Sequence, residues 1–209
     1  MFKNKTIKFE EFPNVEDKVV LVIGASFVGA ELCRQIKERT PKDIIVFDSN
    51  EKNLASVDAT RLLGSATDMD RINQIFKDLK PDVVFHTDIY TDEALLASSP
   101  CEGVKTNILG TYNVAHAAKQ NHTKQFILVS TDAPNDSLRI AEKLVLGANH
   151  YKDDTTCEVY RLAGNKVTKF EDPDKISIDD FTFKLQTLVI GARTNDDNKA
   201  NDYIRQILR

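Results

Sequence analysis

The stretch Lys18-Val-Val-Leu-Val-Ile-Gly-Ala-Ser-Phe-Val-Gly29 decides the fold. An apolar run, Val19 to Ile23, leads into Gly24, and a helical pattern of Ala30, Leu32, Cys33 and Ile36 begins near Gly29. Strand, tight turn and helix in that order place a pyrophosphate at a helix N-terminus, where unpaired N–H groups and the helix dipole favour an anion. Loops of this kind space their glycines as GxGxxG or GxxGxxG. Here Gly24 and Gly29 remain, with Ser26 and Phe27 between them. A side chain at the middle position blocks close approach of backbone to pyrophosphate. The segment reads as a nucleotide-binding turn with a damaged phosphate contact.

The pattern continues outward from that turn. Residues 43–48 (DIIVFD) form a second apolar strand closing on Asp48, and residues 50–60 read as helical. A brief strand at Leu62 and Leu63 precedes a helix over 68–79, with Met69, Ile72, Ile75, Phe76 and Leu79 at helical spacing. Strands at 83–86, 125–130 and 157–162 alternate with helices at 101–120 and 136–150. Uniformly apolar strands alternating with helices predict an α/β fold, a Rossmann-like doubly wound parallel sheet covered on both faces. We place this domain over residues 18–165, behind an N-terminal arm (1–17) that packs over the domain or onto a partner. A reduced helical C-terminal part (166–209) follows, with helices at 176–190 and 202–208.

Composition narrows the function. The net charge is −4 and the pI near 5.6, which excludes broad binding to a nucleic-acid backbone. No apolar run approaches a membrane span, and the first residues lack the apolar core of a signal peptide. Cys33, Cys101 and Cys157 lie far apart without metal-ligand spacing, as expected of reduced cytoplasmic thiols. The four histidines form no HxxxH or HxH pair, so no metal site is expected. His86, at the end of a strand, reads as a structural histidine.

Five stretches stand out: GAELCRQI at 29–36, FDSNEKNL at 47–54, PDVVFH at 81–86, PCEGVKTNILGTYNVAHAA at 100–118 and FILVSTD at 126–132. Together they resemble extended short-chain dehydrogenase/reductase proteins and, more narrowly, the nucleotide-sugar 4,6-dehydratase and epimerase family of bacterial polysaccharide biosynthesis. The resemblance covers residues 18–132 well and the remainder weakly, and members of the family are longer, with a substrate-binding C-terminal part largely missing here. It implies NAD or NADP as cofactor and a nucleotide sugar as ligand. The implied cofactor contacts are Gly24, Ser26, Phe27 and Gly29 in the phosphate loop, Asp48 at the adenosine ribose, and Ser130 at the end of a central strand. Thr131 and Asp132 match the positions that face the sugar.

The chain also departs from that pattern. Ser65 replaces an acid that reads the adenine amino group, and Asp88 stands where the family has small residues along the pyrophosphate. A carboxylate there either repels the pyrophosphate or caps its loop and turns outward. The family carries Tyr or Met and Lys spaced as YxxxK on the helix after the STD run. No tyrosine in this chain has a lysine four residues later, and Leu138 aligns with the lysine. The lysine holds the nicotinamide ribose and lowers the pKa of the base, so its loss removes hydride-transfer chemistry.

The sequence therefore points first to a degenerate, non-catalytic binding or regulatory subunit in surface polysaccharide biosynthesis. One alternative is an active NAD(P)-dependent dehydratase or epimerase using Thr131 and Asp132. Another is an assembly module with an empty crevice. Related folds dimerise through their two long helices, which makes Tyr112, His116, Leu144 and Leu146 interface candidates for a homodimer or for a complex with a polysaccharide-biosynthesis enzyme.

Overall fold

A computed structural model describes residues 6–150 and 154–171, together with 202, 204 and 205. The arm contributes a short strand, β1 (Lys8–Phe9), and the apolar run becomes β2 (Val19–Ile23). After the turn come α1 (Phe27–Lys37), β3 (Asp43–Asp48), α2 (Glu51–Ala55), β4 (Thr60–Leu63) and α3 (Met69–Leu79). The chain then forms β5 (Val83–His86), α4 (Glu93–Ser98), α5 (Pro100–Gly103), a π-helical segment (Val104–Gly110) and α6 (Thr111–Gln120). It continues with β6 (Gln125–Thr131), α7 (Asp136–Gly147), β7 (Thr156–Ala163) and β8 (Lys166–Phe170).

One sheet holds all these strands in the order β1-β8-β7-β6-β5-β2-β3-β4. β2 through β7 run parallel, β8 pairs antiparallel with β7, and β1 lies parallel to β8. From β2 the chain winds out to β4, then returns to place β5 on β2's other side. That reversal is the switch point at which doubly wound sheets open a crevice beyond the strand C-termini.

Side chains along the strands alternate between two buried faces, as the pleat requires. Leu21, Ile23, Ile45, Phe47, Val84 and Phe126 join the core under α3, α6 and α7. Val20, Val22, Val46, Phe85 and Ile127 join the core that includes Leu32 and Ile36 of α1. The arm lies over its own domain on this second face. Ile7 and Val15 are buried there, the Phe9 and Phe12 rings meet at 4.8 Å, and the Arg39 guanidinium sits 3.9 Å over Phe12.

Four features depart from the sequence expectation. The helix expected over 50–60 ends at Ala55, and Thr60 already starts β4. The helix expected over 101–120 consists of α5, a widened π-helical segment and α6 in continuity. α4 has no counterpart in that expectation. β8 follows β7 through a two-residue turn in which Gly164 takes φ +61°, so the sheet extends past residue 165. The helix expected over 176–190 lies outside the described residues, as does most of 202–208.

Candidate functional site

The geometry of the switch point follows from strand register. Ile23 pairs with Phe47 on one side and His86 on the other, so Gly24, Asp48 and Thr87 leave the sheet at one level. Gly24 N donates to Phe47 O at 2.8 Å and Thr87 N donates to Ile23 O at 2.7 Å. The Thr87 hydroxyl donates to Gly24 O at 3.0 Å. Gly24 has φ +94°, and a Cβ there would lie 2.6 Å from Asp88 N and 2.7 Å from Thr87 Oγ1. A Cβ on Gly29 would collide with the carbonyl oxygen of Gly24. Both glycines are therefore required by packing within the loop itself.

Asp48 is buried at the end of β3 and reaches across to this loop. Its Oδ2 accepts from Ala25 N at 2.5 Å and its Oδ1 from Asn50 N at 2.6 Å, with the Asn53 amide 3.3 Å from Oδ2. The acid thus anchors the phosphate loop to the start of α2, combining a strand-end role with the position expected of a ribose contact. Ser26 and Phe27 stand exposed where α1 begins, and Phe27 is 44% exposed. Ser26 is the N-cap of α1 and makes no side-chain cap bond, and no acidic residue lies in the helix's first turn.

Asp88 lies against the crevice. Burial and the nearby charge of Asp48 push its carboxyl up to about 6. Ser65, at the position of the missing adenine-reading acid, bonds locally to the Thr67 hydroxyl at 2.8 Å. His86 is fully buried, with Nε2 3.1 Å from Thr111 Oγ1, and desolvation lowers its pKa to about 3. It is a neutral core group, in keeping with its place at a strand end.

The other half of the crevice holds the matches to the STD run. Ser130 is buried and its Oγ has no hydrogen-bond partner among the described residues. The Thr131 hydroxyl donates to Asp132 Oδ1 at 3.2 Å, and Asp132 is exposed. Beyond them α7 begins with Asn135 as its N-cap. Leu138, aligned with the family lysine, is fully buried.

A closed polar network that the sequence did not reveal occupies this end. Asn107, on the π-helical segment, accepts from Tyr90 N at 2.7 Å and donates to Tyr90 O at 2.9 Å and to Ser137 Oγ at 2.8 Å. Ser137 in turn donates to Asn135 Oδ1 at 2.7 Å, and the Asn135 amide donates to Tyr90 O at 3.0 Å. The loop carrying Asp88 is thereby fastened to the start of α7. Its one sequence signal is that Asn107 falls within the stretch at 100–118, which by itself assigns the residue no role.

A cleft of ≈ 370 Å³ opens beyond the network, between α4 and the start of α7. Glu93, Leu96, Pro134, Asp136 and Arg139 line it, with Ile204. Among the described residues no His, Cys, Asp and Glu group could hold a metal ion, and no helix is long and apolar enough to cross a membrane. Of the interface candidates, Leu144 is buried in the chain's own core, while the half-buried Tyr112 and His116 rings stack at 5.6 Å.

A dinucleotide tests this geometry. Asp48 suits a ribose hydroxyl, since an ionised carboxylate offers about four acceptor sites and accepts strongly from neutral donors. Ser26 and Phe27 stand where a glycine would let a pyrophosphate approach, and the nicotinamide side offers no ionisable group on the first turn of α7 other than the exposed Asp136 and Arg139.

Comparison with known proteins agrees with the fold and gives the family. A probable polysaccharide biosynthesis protein, EpsC of Bacillus subtilis, is 35% identical over 145 residues, covering 62% of this chain and 24% of its own length. The capsular polysaccharide biosynthesis protein CapD of Staphylococcus aureus is 29% identical over 166 residues, covering 70% of this chain and 28% of its own. The chain thus spans about a quarter of the length of these two relatives. Among solved structures, a UDP-glucose 4-epimerase from Thermotoga maritima with UDP-glucose superposes with a TM-score of 0.60 at 19% identity. That superposition covers 79% of this chain and 62% of the epimerase, and it shows a shared fold. Residues 20–165 match the family described as polysaccharide biosynthesis protein, and the chain belongs to that family.

Proposed function

We propose that this chain is a non-catalytic counterpart of a nucleotide-sugar dehydratase or epimerase, acting as a binding or regulatory subunit in surface polysaccharide biosynthesis. The observation that carries this reading is the first turn of α7. Ser137 both donates and accepts within the Asn107–Asn135 network, and Leu138 is fully buried. Proton and hydride transfer at a sugar carbon needs an ionisable group within hydrogen-bond reach of the reacting atoms. Neither residue supplies one, and the exposed Asp132 carboxyl, bonded to the Thr131 hydroxyl, has no lysine on the first turn of α7 to hold a nicotinamide ribose beside it. The relatives in polysaccharide and capsule biosynthesis support the pathway, and the resemblance of residues 100–118 to nucleotide-sugar enzymes supports a nucleotide sugar as ligand. The partner is a second copy of the chain or a full-length enzyme of the same pathway, meeting the face that carries Tyr112 and His116.

The test is proton NMR of UDP-glucose and UDP-N-acetylglucosamine incubated with the chain and excess NAD or NADP. Unchanged sugar signals over many hours are expected. A 4-keto, 6-deoxy or C4-inverted product that scales with protein concentration would restore the active-enzyme reading.

A further inference from the structure

We propose that the cleft between α4 and the start of α7 is the seat of the chain's own segment 202–209, which acts as a latch over the sugar side of the crevice. The proposal rests on the nucleotide-sugar reading above only for the ligand that the latch withholds. Asp202, Ile204 and Arg205 are helical, and Ile204 is 9% exposed while Asp202 and Arg205 are exposed. One side of this segment is therefore seated, and what Ile204 lines is the cleft, together with Leu96, Ala97 and Pro134. The sequence continues Gln206-Ile207-Leu208-Arg209, so Ile207 and Leu208 follow Ile204 at the three- and four-residue spacing that gives a helix one apolar face. A volume of ≈ 370 Å³ stays open in the cleft to receive that face.

The walls of the cleft suit this occupant. Glu93 and Asp136 outnumber Arg139 there, and Arg205 and Arg209 outnumber Asp202 in the segment, so the charges are complementary. α4 has six residues, a length that is marginal for a helix without a cover. Its Glu93, Ala94, Ala97 and Ser98 are exposed. Its half-buried Leu96 packs so closely on Gly103 of α5 that a Cβ there would collide with Leu96 Cδ2. The cleft reaches Pro134, two residues past Asp132, and Asn135 and Ser137 of the polar network also line it. A segment seated there stands beside the sugar side of the crevice. It also steadies, from the α4 end, the loop that the network fastens through Tyr90.

Hydrogen exchange of the full chain, read by mass spectrometry, tests the latch. Ile204→Asp puts a charge in the seat, and Ala97→Arg fills it from the exposed side of α4. Each should speed exchange over residues 93–98 and 134–139 roughly tenfold, with α3 unaffected and Ile204→Leu like wild type. A peptide of residues 201–209 added in trans should restore protection to Ile204→Asp and not to Ala97→Arg. Both release variants should also bind UDP-glucose or UDP-N-acetylglucosamine about threefold tighter or more in calorimetric titration, because a closed state lowers apparent affinity. Unchanged exchange in both variants, a peptide that protects neither, or acceleration spread equally over α3 overturns the latch. Equal UDP-sugar affinity in wild type and both variants overturns its hold on the crevice. UDP-sugar binding by none of these proteins overturns the nucleotide-sugar ligand of the proposed function, and the exchange result then decides the latch by itself.

Discussion

Replacing Asp88 with asparagine should stabilise the protein at pH 8 and leave it nearly unchanged at about pH 3, below both pKa values. The folded-state pKa of Asp88 is about 6, raised first by burial and then by Asp48, against an ordinary value of 3.8. A carboxyl with a raised folded pKa binds more protons folded than unfolded between those values, so stability falls as pH climbs from 3.8 toward 6. Every tenfold change in proton affinity corresponds to about 1.4 kcal/mol. The full difference is about 3 kcal/mol, and partial exposure of the side chain reduces it to about 2 kcal/mol. For a chain of this size that moves the thermal midpoint by roughly 4–8 °C. The assay is differential scanning fluorimetry of both proteins from about pH 3 to 8.5. The Asp88→Asn gain should open between pH 3.8 and about 6 and then level off. An equal gain at every pH, or a loss at pH 8, would refute the reasoning, because either would mean that Asp88 is not held ionised in a hostile site.

Three further outcomes follow from particular contacts. Asn107→Ala should cost about 3 kcal/mol in urea unfolding, since it strips Tyr90 N and Ser137 of partners in a buried network; a loss under about 1 kcal/mol would show the network is slack. His86, neutral in the core with its pKa lowered to about 3 by burial, should weaken the fold as pH drops from about 6.5 toward 3, because the unfolded chain binds the proton the folded one refuses. His86→Phe should flatten that acid limb in a pH titration of stability. Gly29→Ala should destabilise by at least about 2 kcal/mol in the same urea assay, since the added methyl meets the backbone carbonyl of Gly24 rather than a movable side chain.

Much of the fold is legible in the sequence because buried parallel strands are continuous apolar runs. Val19–Ile23, Asp43–Asp48, Val83–His86 and the run at 125–130 announce themselves by composition alone. β8 is harder to see because Lys166-Val-Thr-Lys-Phe170 mixes lysine with apolar residues, as an edge strand does, and only the Gly164-Asn165 pair before it signals a hairpin. The crevice is legible in part. Gly24, Gly29 and Asp48 each carry a local signature, and the sheet register sets Gly24 and Asp48 at one level. The closeness of Asp88 to Asp48 has no local signature, because it depends on β2 lying between β3 and β5 in register. Asn107 is hidden for a related reason: a lone polar residue inside a helical pattern shows its meaning only when its amide is seen gripping another loop.

The most direct measurement is a calorimetric titration of the wild-type chain with NAD at about pH 7.5, using protein at tens of micromolar and ligand into the millimolar range. The phosphate loop without its middle glycine and the acid at position 88 predict no saturable heat. Stoichiometric binding with a micromolar dissociation constant would contradict it, and would mean that the loop at Thr87 and Asp88 yields to a pyrophosphate after all.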